Sequence, residues 1–301
     1  MSIGSLATIP PPSTSVPARP LPPAACDAHS HVFGPFDRFP PLGRSVYALP
    51  EAGPRIHAAF RKTIGVARAV LTQPAPYGNN PAAMLAAIAE APDVLRAVAV
   101  ADESIDDVTL EHWRTSGIVG LRFTEMRLPS GERYPGSVGF DVLRAMAPRM
   151  RQLGMHAQLW AKASDLEEQL PALLRLGVRV VLDHMGCPDP EEGPQGRAFG
   201  RILDLLADGS LWLKLTLCRV AANPWERTNI RAMHDRLVER RSNRLLWGSD
   251  WPYVRMHPAP DAGRLADLFQ IWIDDADLVR RILVTNPSEL YGYEEQKACE
   301  D

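Results

Sequence analysis

Apolar, strand-like runs recur eight times along this chain, at 26–33, 67–73, 95–101, 118–124, 155–161, 178–184, 211–217 and 244–249. Helix-like stretches separate nearly all of them, at 54–64, 81–91, 104–115, 139–153, 164–176, 196–208 and 223–240, and a last one at 275–290 follows the eighth run. The 164–176 stretch opens Ser164-Asp165-Leu166-Glu167, a capping residue and early acids, as a helix start should. Strands alternating with helices imply a parallel sheet, because each crossover returns the chain to the same end of the sheet. Eight units close into a (β/α)8 barrel, whereas an open doubly wound sheet usually has fewer strands and a Gly-rich first turn. Neither G-x-G-x-x-G nor G-x-x-x-x-G-K-[ST] follows any run, so dinucleotide and P-loop sites lack support. The expected fold is a single α/β domain, a (β/α)8 TIM barrel over 26–294.

Two short segments fall outside that rhythm. Residues 1–25 carry Pro10, Pro11, Pro12, Pro17, Pro20, Pro22 and Pro23. Proline has no N–H to give, so this arm is expected to be extended or disordered, without helix or ladder. Residues 295–301 form a short charged tail. A formal net charge of −3 leaves no basic surplus for nucleic acid or an anionic membrane. No apolar run is long enough to span a bilayer, and the N-terminus lacks the basic flank and apolar core of a signal peptide. Cys26, Cys187, Cys218 and Cys299 show no C-x-x-C spacing and read as free thiols. A cytoplasmic location is the default, and homo-oligomerisation is left open.

The densest chemistry lies in Cys26-Asp27-Ala28-His29-Ser30-His31. Histidines two apart on a strand face the same side, with Asp27, and suit a metal or a polarised carbonyl. An isolated His-x-His is more often a surface pair. Its weight here comes from His184 and Asp250, which also close apolar runs. In a barrel of this kind reactive groups gather at the C-terminal ends of the strands. Arg122 and Trp160 fall toward the ends of the fourth and fifth runs, and Cys218 and Arg219 follow the seventh. Asp250 competes with a helix N-cap reading, His184 with a satisfied core histidine, and Arg122 with a buried ion pair to Glu125 or Asp183. Tyr47, Gln73 and Tyr77 lie on early loops that would border the mouth. Trp247 and Trp251 flank Asp250, and Met146, Met150 and Met155 fit packing only. His156 begins its run and is expected below the pocket. Lys214 lies inside the seventh run.

His29, His31, His184 and Asp250 together resemble the site of the amidohydrolase superfamily. The segments DAHSHVFGPFDRFP (27–40), LTQPAPYGNN (71–80), GLRF (120–123), LDHMGCPD (182–189), LLWGSDWP (245–252) and TNPSELYG (285–292) are similar, in order, to those of the 2-pyrone-4,6-dicarboxylate lactonase family. The resemblance implies an amidohydrolase-like barrel that opens a carboxylated cyclic lactone, a small-molecule substrate. Asp250 would activate water, and His29, His31 and His184 would polarise the carbonyl. Arg122, with Arg127 or Arg219, would hold a substrate carboxylate, bordered by Tyr47, Gln73, Tyr77 and Trp160. Trp160 stands where the family lactonase has a tyrosine, which separates hydrolysis from the particular substrate. The resemblance further implies that no cofactor is required. The alternative is one divalent metal ion such as zinc, on His29, His31, His184 and Asp250. Two other functions compete: a zinc-dependent decarboxylase of the same superfamily acting on an aromatic or unsaturated acid, and a non-catalytic barrel that binds a small acid.

Overall fold

Residues 8–43, 45–221 and 228–294 are described by the structure, a computed structural model. Eight parallel strands hydrogen-bond in chain order: β1 (Cys26–Ser30), β2 (Arg68–Thr72), β3 (Leu95–Ala99), β4 (Ile118–Thr124), β5 (His156–Trp160), β6 (Val180–Leu182), β7 (Leu211–Leu215) and β8 (Leu245–Trp247). Asp250 N–H donates to His29 O at 2.7 Å and His31 N–H to Trp251 O at 2.9 Å, which closes the seam between β8 and β1. The approach is tight. A Cβ on Gly248 would lie 2.6 Å from the His29 Cβ, so glycine is required where the seam meets the site.

Side chains alternate between two cores. Leu211, Leu213 and Leu215 join the large apolar layer under the helices, while Trp212 joins a smaller cluster with Val70, Val98, Val181 and Leu246. The smaller cluster fills the lumen, as the two-residue period of a barrel strand dictates. Higher on the same lumen-facing rows come Thr72, Arg122, Gln158 and Lys214, all buried. The lumen is thus apolar at its base and polar at its top. Tyr291 and Tyr293 pack against the base, where the Tyr293 hydroxyl donates to Ala69 O at 2.8 Å.

Seven helices follow the first seven strands: α1 (Pro54–Ile64), α2 (Ala82–Glu90), α3 (Asp107–Thr115), α4 (Phe140–Gln152), α5 (Ala163–Leu174), α6 (Arg197–Ala207) and α7 (Thr228–Arg241). Part of the expected 223–240 stretch lies outside the described residues. α5 starts one residue before Ser164, which does not cap it. The Ala163 N–H is bound instead by Cys187 O at 3.0 Å. An unanticipated helix, α8 (Ala262–Ile273), follows β8, capped by the Asp261 carboxylate accepting from the Gly263 and Arg264 N–H groups. The expected 275–290 helix is α9 (Ala276–Arg280) and α10 (Asn286–Tyr291), joined by a π turn over Arg281–Thr285. Pro287 lacks the N–H that would continue the ladder, which accounts for the wider turn there.

The proline-rich arm is extended, but it does make a ladder. Thr8–Ile9 pair in parallel with Leu49–Pro50, just ahead of the first proline, where N–H groups are still available. The arm is also held down: Ser15 and the Ala18 and Arg19 N–H groups bond Asp261 and Asp267 of the α8 region. The charged tail lies outside the described residues. No described helix is long and apolar enough to cross a membrane.

Candidate active site

The polar groups at the C-terminal ends of the strands form one connected set. The runs ending in His184 and Asp250 shorten to three-residue strands because the backbone turns left-handed just beyond them. Of the eight non-glycine residues with positive φ among those described, six lie in the loops after β6 and β8: His184, Met185, Cys187, Asp250, Tyr253 and Arg255. Each such conformation costs about 1 kcal/mol or more, so the fold holds these loops in place by other contacts. Asp27 is the principal brace. Its Oδ1 accepts from the Ser249 and His29 N–H groups at 2.9 and 3.0 Å, and its Oδ2 from the Ser249 hydroxyl at 2.5 Å. Burial raises the Asp27 carboxyl to about 6 against those bonds. No helix starts at Asp250, since the next one begins at Ala262, so Asp250 is not an N-cap.

Asp250 is buried at the centre of the mouth. Its Oδ2 accepts from Arg219 Nε at 2.5 Å, and its Oδ1 lies 3.4 Å from His29 Nε2 and 3.5 Å from His31 Nε2. Burial alone would raise its pKa. The Arg219 charge holds the carboxyl well below the usual range instead. His31 Nδ1 bonds the Thr72 carbonyl at 2.7 Å. A carbonyl only accepts, so this nitrogen carries the hydrogen and a neutral His31 turns a lone pair toward Asp250. His29 Nδ1 lies 3.1 Å from Asp183 Oδ1, which favours the same tautomer, and burial keeps His29 well below its ordinary pKa. His184 is edge-on to Trp160 and 4.9 Å, ring to ring, from His29. Burial drives it down to about 4, and its Nδ1 has no hydrogen-bond partner.

Beneath these sits a second layer. Asp183 Oδ2 accepts from Arg122 Nε and Nη2 at 3.1 and 3.0 Å and from Gln158 Nε2 at 3.2 Å. Lys214 Nζ donates to Gln158 Oε1 at 2.6 Å and lies 3.4 Å from His29 Nδ1 and 3.5 Å from Asp183 Oδ1. Burial lowers Lys214 to about 8. Asp27, Asp183 and Asp250 thus face Arg122, Lys214 and Arg219, three negative groups against three positive ones. With the histidines neutral, the centre is balanced.

His31, His184, Arg122, Arg219, Asp250, Tyr47 and Trp160 all line one cavity, with His29 directly behind it. Three anticipated substrate contacts are elsewhere. Arg127 is half exposed and pairs with Glu125 Oε2 at 3.1 Å, outside the cavity wall. Gln73 is consumed by the backbone, donating to Gly78 O at 2.6 Å and accepting from the Val100 N–H at 3.1 Å. The Tyr77 hydroxyl accepts from the Gly34 N–H at 2.7 Å. Both brace loops. Arg122 is at once a cavity residue and an ion pair with Asp183, not with Glu125. Trp247 and Trp251 pack against Phe269 and Phe60 in the outer core. His156 lies at the base of the lumen, its ring so close that a Cβ on Gly120 would meet it at 2.5 Å.

Asp27, Gln158, Asp183 and Lys214 complete the polar set beyond the residues expected, and the last three left a trace: a polar side chain on the lumen-facing row of an apolar strand must find a partner. Tyr134 and Arg255, which complete the cavity wall from the loops after β4 and β8, left none.

The donor chemistry also fits a divalent ion. Ligand atoms of His29, His31 and Asp250 lie within 4.8 Å of one another, as do those of His29, Asp183 and His184. The anticipated quartet is thus divided between two triads that share His29, the second of which brings in Asp183.

Fold and site together define a (β/α)8 barrel with an acid–histidine centre at its mouth. Residues 26–293 match the amidohydrolase family, and the chain belongs to that family of hydrolases. It is 32% identical over 292 residues to a 2-pyrone-4,6-dicarboxylate hydrolase of Comamonas testosteroni, covering 93% of this chain and 94% of that one. It is 25% identical to a 4-sulfomuconolactone hydrolase of Hydrogenophaga intermedia, covering 90% of each. A solved structure of a probable 2-pyrone-4,6-dicarboxylic acid hydrolase from Acinetobacter baumannii, with citric acid bound, superposes with a TM-score of 0.78 at 27% identity, covering 89% of this chain and 99% of that one.

Proposed function

We propose that this chain hydrolyses a carboxylated cyclic lactone, with Asp250 activating the water. The observation that carries the reading is the ionised Asp250 carboxylate, held by Arg219 through one oxygen while the other faces two imidazoles. His29 Nε2, His31 Nε2 and Asp250 Oδ1 are all acceptors in their neutral-histidine, ionised-acid forms, and they converge on one point. A water there donates both hydrogens and turns its lone pairs to the carbonyl carbon. Its oxygen adds to the acyl carbon, and Asp250 takes a proton. The ring C–O bond then breaks, and the proton passes to the departing oxygen. His29 and His31 thereby position the water, which leaves polarisation of the carbonyl oxygen to His184, whose ring lines the cavity. Only one of the three histidines is then an oxyanion donor.

A divalent ion would be held by His29, His31 and Asp250 and would supply Lewis-acid activation there. The balance of three buried acids against three buried cations favours the reaction without one, since an added double charge would be left uncompensated in a buried site. The test is turnover of a panel of carboxylated lactones by chelator-treated protein, with and without zinc or manganese restored. Ring opening should persist after metal removal. A large loss that returns with the ion would make the triad a metal site. Release of CO2 from an aromatic or unsaturated acid, with no lactone opened, would favour the decarboxylase. Tight binding of an acid without any turnover would favour a binding protein.

A further inference from the structure

We propose that Arg255, hydrogen-bonded to the Tyr134 hydroxyl, is the side chain that selects a second carboxylate on the substrate, remote from the bond that breaks. The inference rests on the lactone reading and deepens it. Anion recognition needs a cation whose charge is not already spent inside the protein. Arg122 is committed to Asp183 and Arg219 to Asp250, each at hydrogen-bonding distance. Arg127 and Arg133 share Glu125. Arg255 differs. It stands exposed at the rim of the same cavity, and among the described residues no carboxylate lies within ion-pair distance of it. Its hydrogen bond goes to a neutral group, the Tyr134 hydroxyl. Four of the five donors of its planar fork are left over, a number and shape suited to a carboxylate.

The wall behind it fixes what kind of carboxylate fits. The Arg255 guanidinium lies 5.2 Å from the Tyr134 ring centre. Tyr134 is 5.3 Å from Trp160, and Arg122 lies over the Trp160 ring at 4.9 Å. Guanidinium, phenol, indole and guanidinium therefore succeed one another along one side of the cavity. An aromatic pair leading out to Arg255 suits a flat, conjugated ring bearing negative charge at its far edge. Trp160, in place of the family's tyrosine, contributes to this wall as a face.

Two measurements test this. On a dicarboxylated lactone, Arg255→Met should lower kcat/KM by about 10- to 100-fold, the worth of charge-assisted hydrogen bonds. On the analogue whose remote acid is a methyl ester, it should change kcat/KM by less than about threefold. Arg255→Lys, which keeps the charge without the fork, should fall between. Equal losses on acid and ester would overturn the assignment while leaving hydrolysis intact. Calorimetric titration of the full chain with isophthalate reads the same site without turnover. Binding should be about 10- to 100-fold weaker in Arg255→Met, and monomethyl isophthalate should bind wild type and variant alike. No isophthalate binding by the wild type, or equal binding by both, would overturn it. If the wild type opens no lactone, the hydrolase reading has failed, and the titration still judges Arg255.

Discussion

His156 and His184 are both buried histidines on adjoining units of the barrel, one at the base of the lumen and one at its mouth. Burial makes both neutral at pH 7, driving His156 to about 3 and His184 to about 4. Their surroundings diverge. The His156 ring packs beside Gly120 and Tyr291, and neither nitrogen has a well-formed hydrogen bond. His184 stands within the electrostatic reach of Asp183, Asp250, Arg219 and Arg122. A depressed histidine pKa therefore marks burial and not a site. What distinguishes the mouth is that opposite charges are held there in pairs, around a cavity that His184 helps to line.

The largest effect separating the two ends should come from Asp250→Asn. An amide cannot accept the proton of the attacking water, so kcat should fall about 10³-fold or more in a chain that still folds, as read by its far-UV circular dichroism. A kcat within about tenfold of wild type would remove Asp250 from the reaction and erase the contrast.

Arg122→Met probes the mouth's cost in stability. It leaves Asp183 buried beside only Lys214, Gln158 and His29, and should destabilise the fold by about 3 kcal/mol, read by denaturant unfolding. A loss under about 1 kcal/mol would mean that water replaces the guanidinium and that the pair is not desolvated.

The smallest effect belongs to the base. The unfolded chain takes up the His156 proton below about pH 6.5, whereas the folded barrel refuses it until about pH 3. Between those values the unfolded state binds more protons, so folding stability is lost as the pH is lowered, by about 2 kcal/mol from this residue at pH 5. His156→Leu should remove that share of the acid sensitivity and leave kcat at pH 7 unchanged. An unaltered stability difference between pH 7 and pH 5 would show that the ring is already solvated. A loss of kcat at constant fold would link the base to the chemistry.

The barrel was legible because its signal is repeated and local. Each of the eight expected runs holds a strand, and most of the expected helices lie within a few residues of their places. α8 is amphipathic over AGRLADLFQIWI and Asp261 is a ready cap, but a count of eight strands and eight helices leaves no place for a further helix after β8. His29, His31, His184 and Asp250 were legible as residues that end apolar runs. Arg127, Gln73 and Tyr77 misled because closeness in sequence to the mouth does not decide what a side chain bonds. Gln73 and Tyr77 found backbone partners, and Arg127 found an exposed acid.

By itself the sequence determined the alternation of strand and helix, and with it which residues the barrel carries to its mouth, since periodicity and chain order follow from local propensity and the handedness of crossovers. Only the tertiary structure decided the pairings. Arg122 with Asp183 spans 61 residues, Lys214 with His29 spans 185, and Asp27 with Ser249 spans 222. Partners so far apart meet because the sheet curves round on itself, and burial then decides which charges are neutralised. That is why the chain showed a histidine–aspartate centre in advance, while the unpaired Arg255 on its aromatic wall appeared only when the barrel was closed.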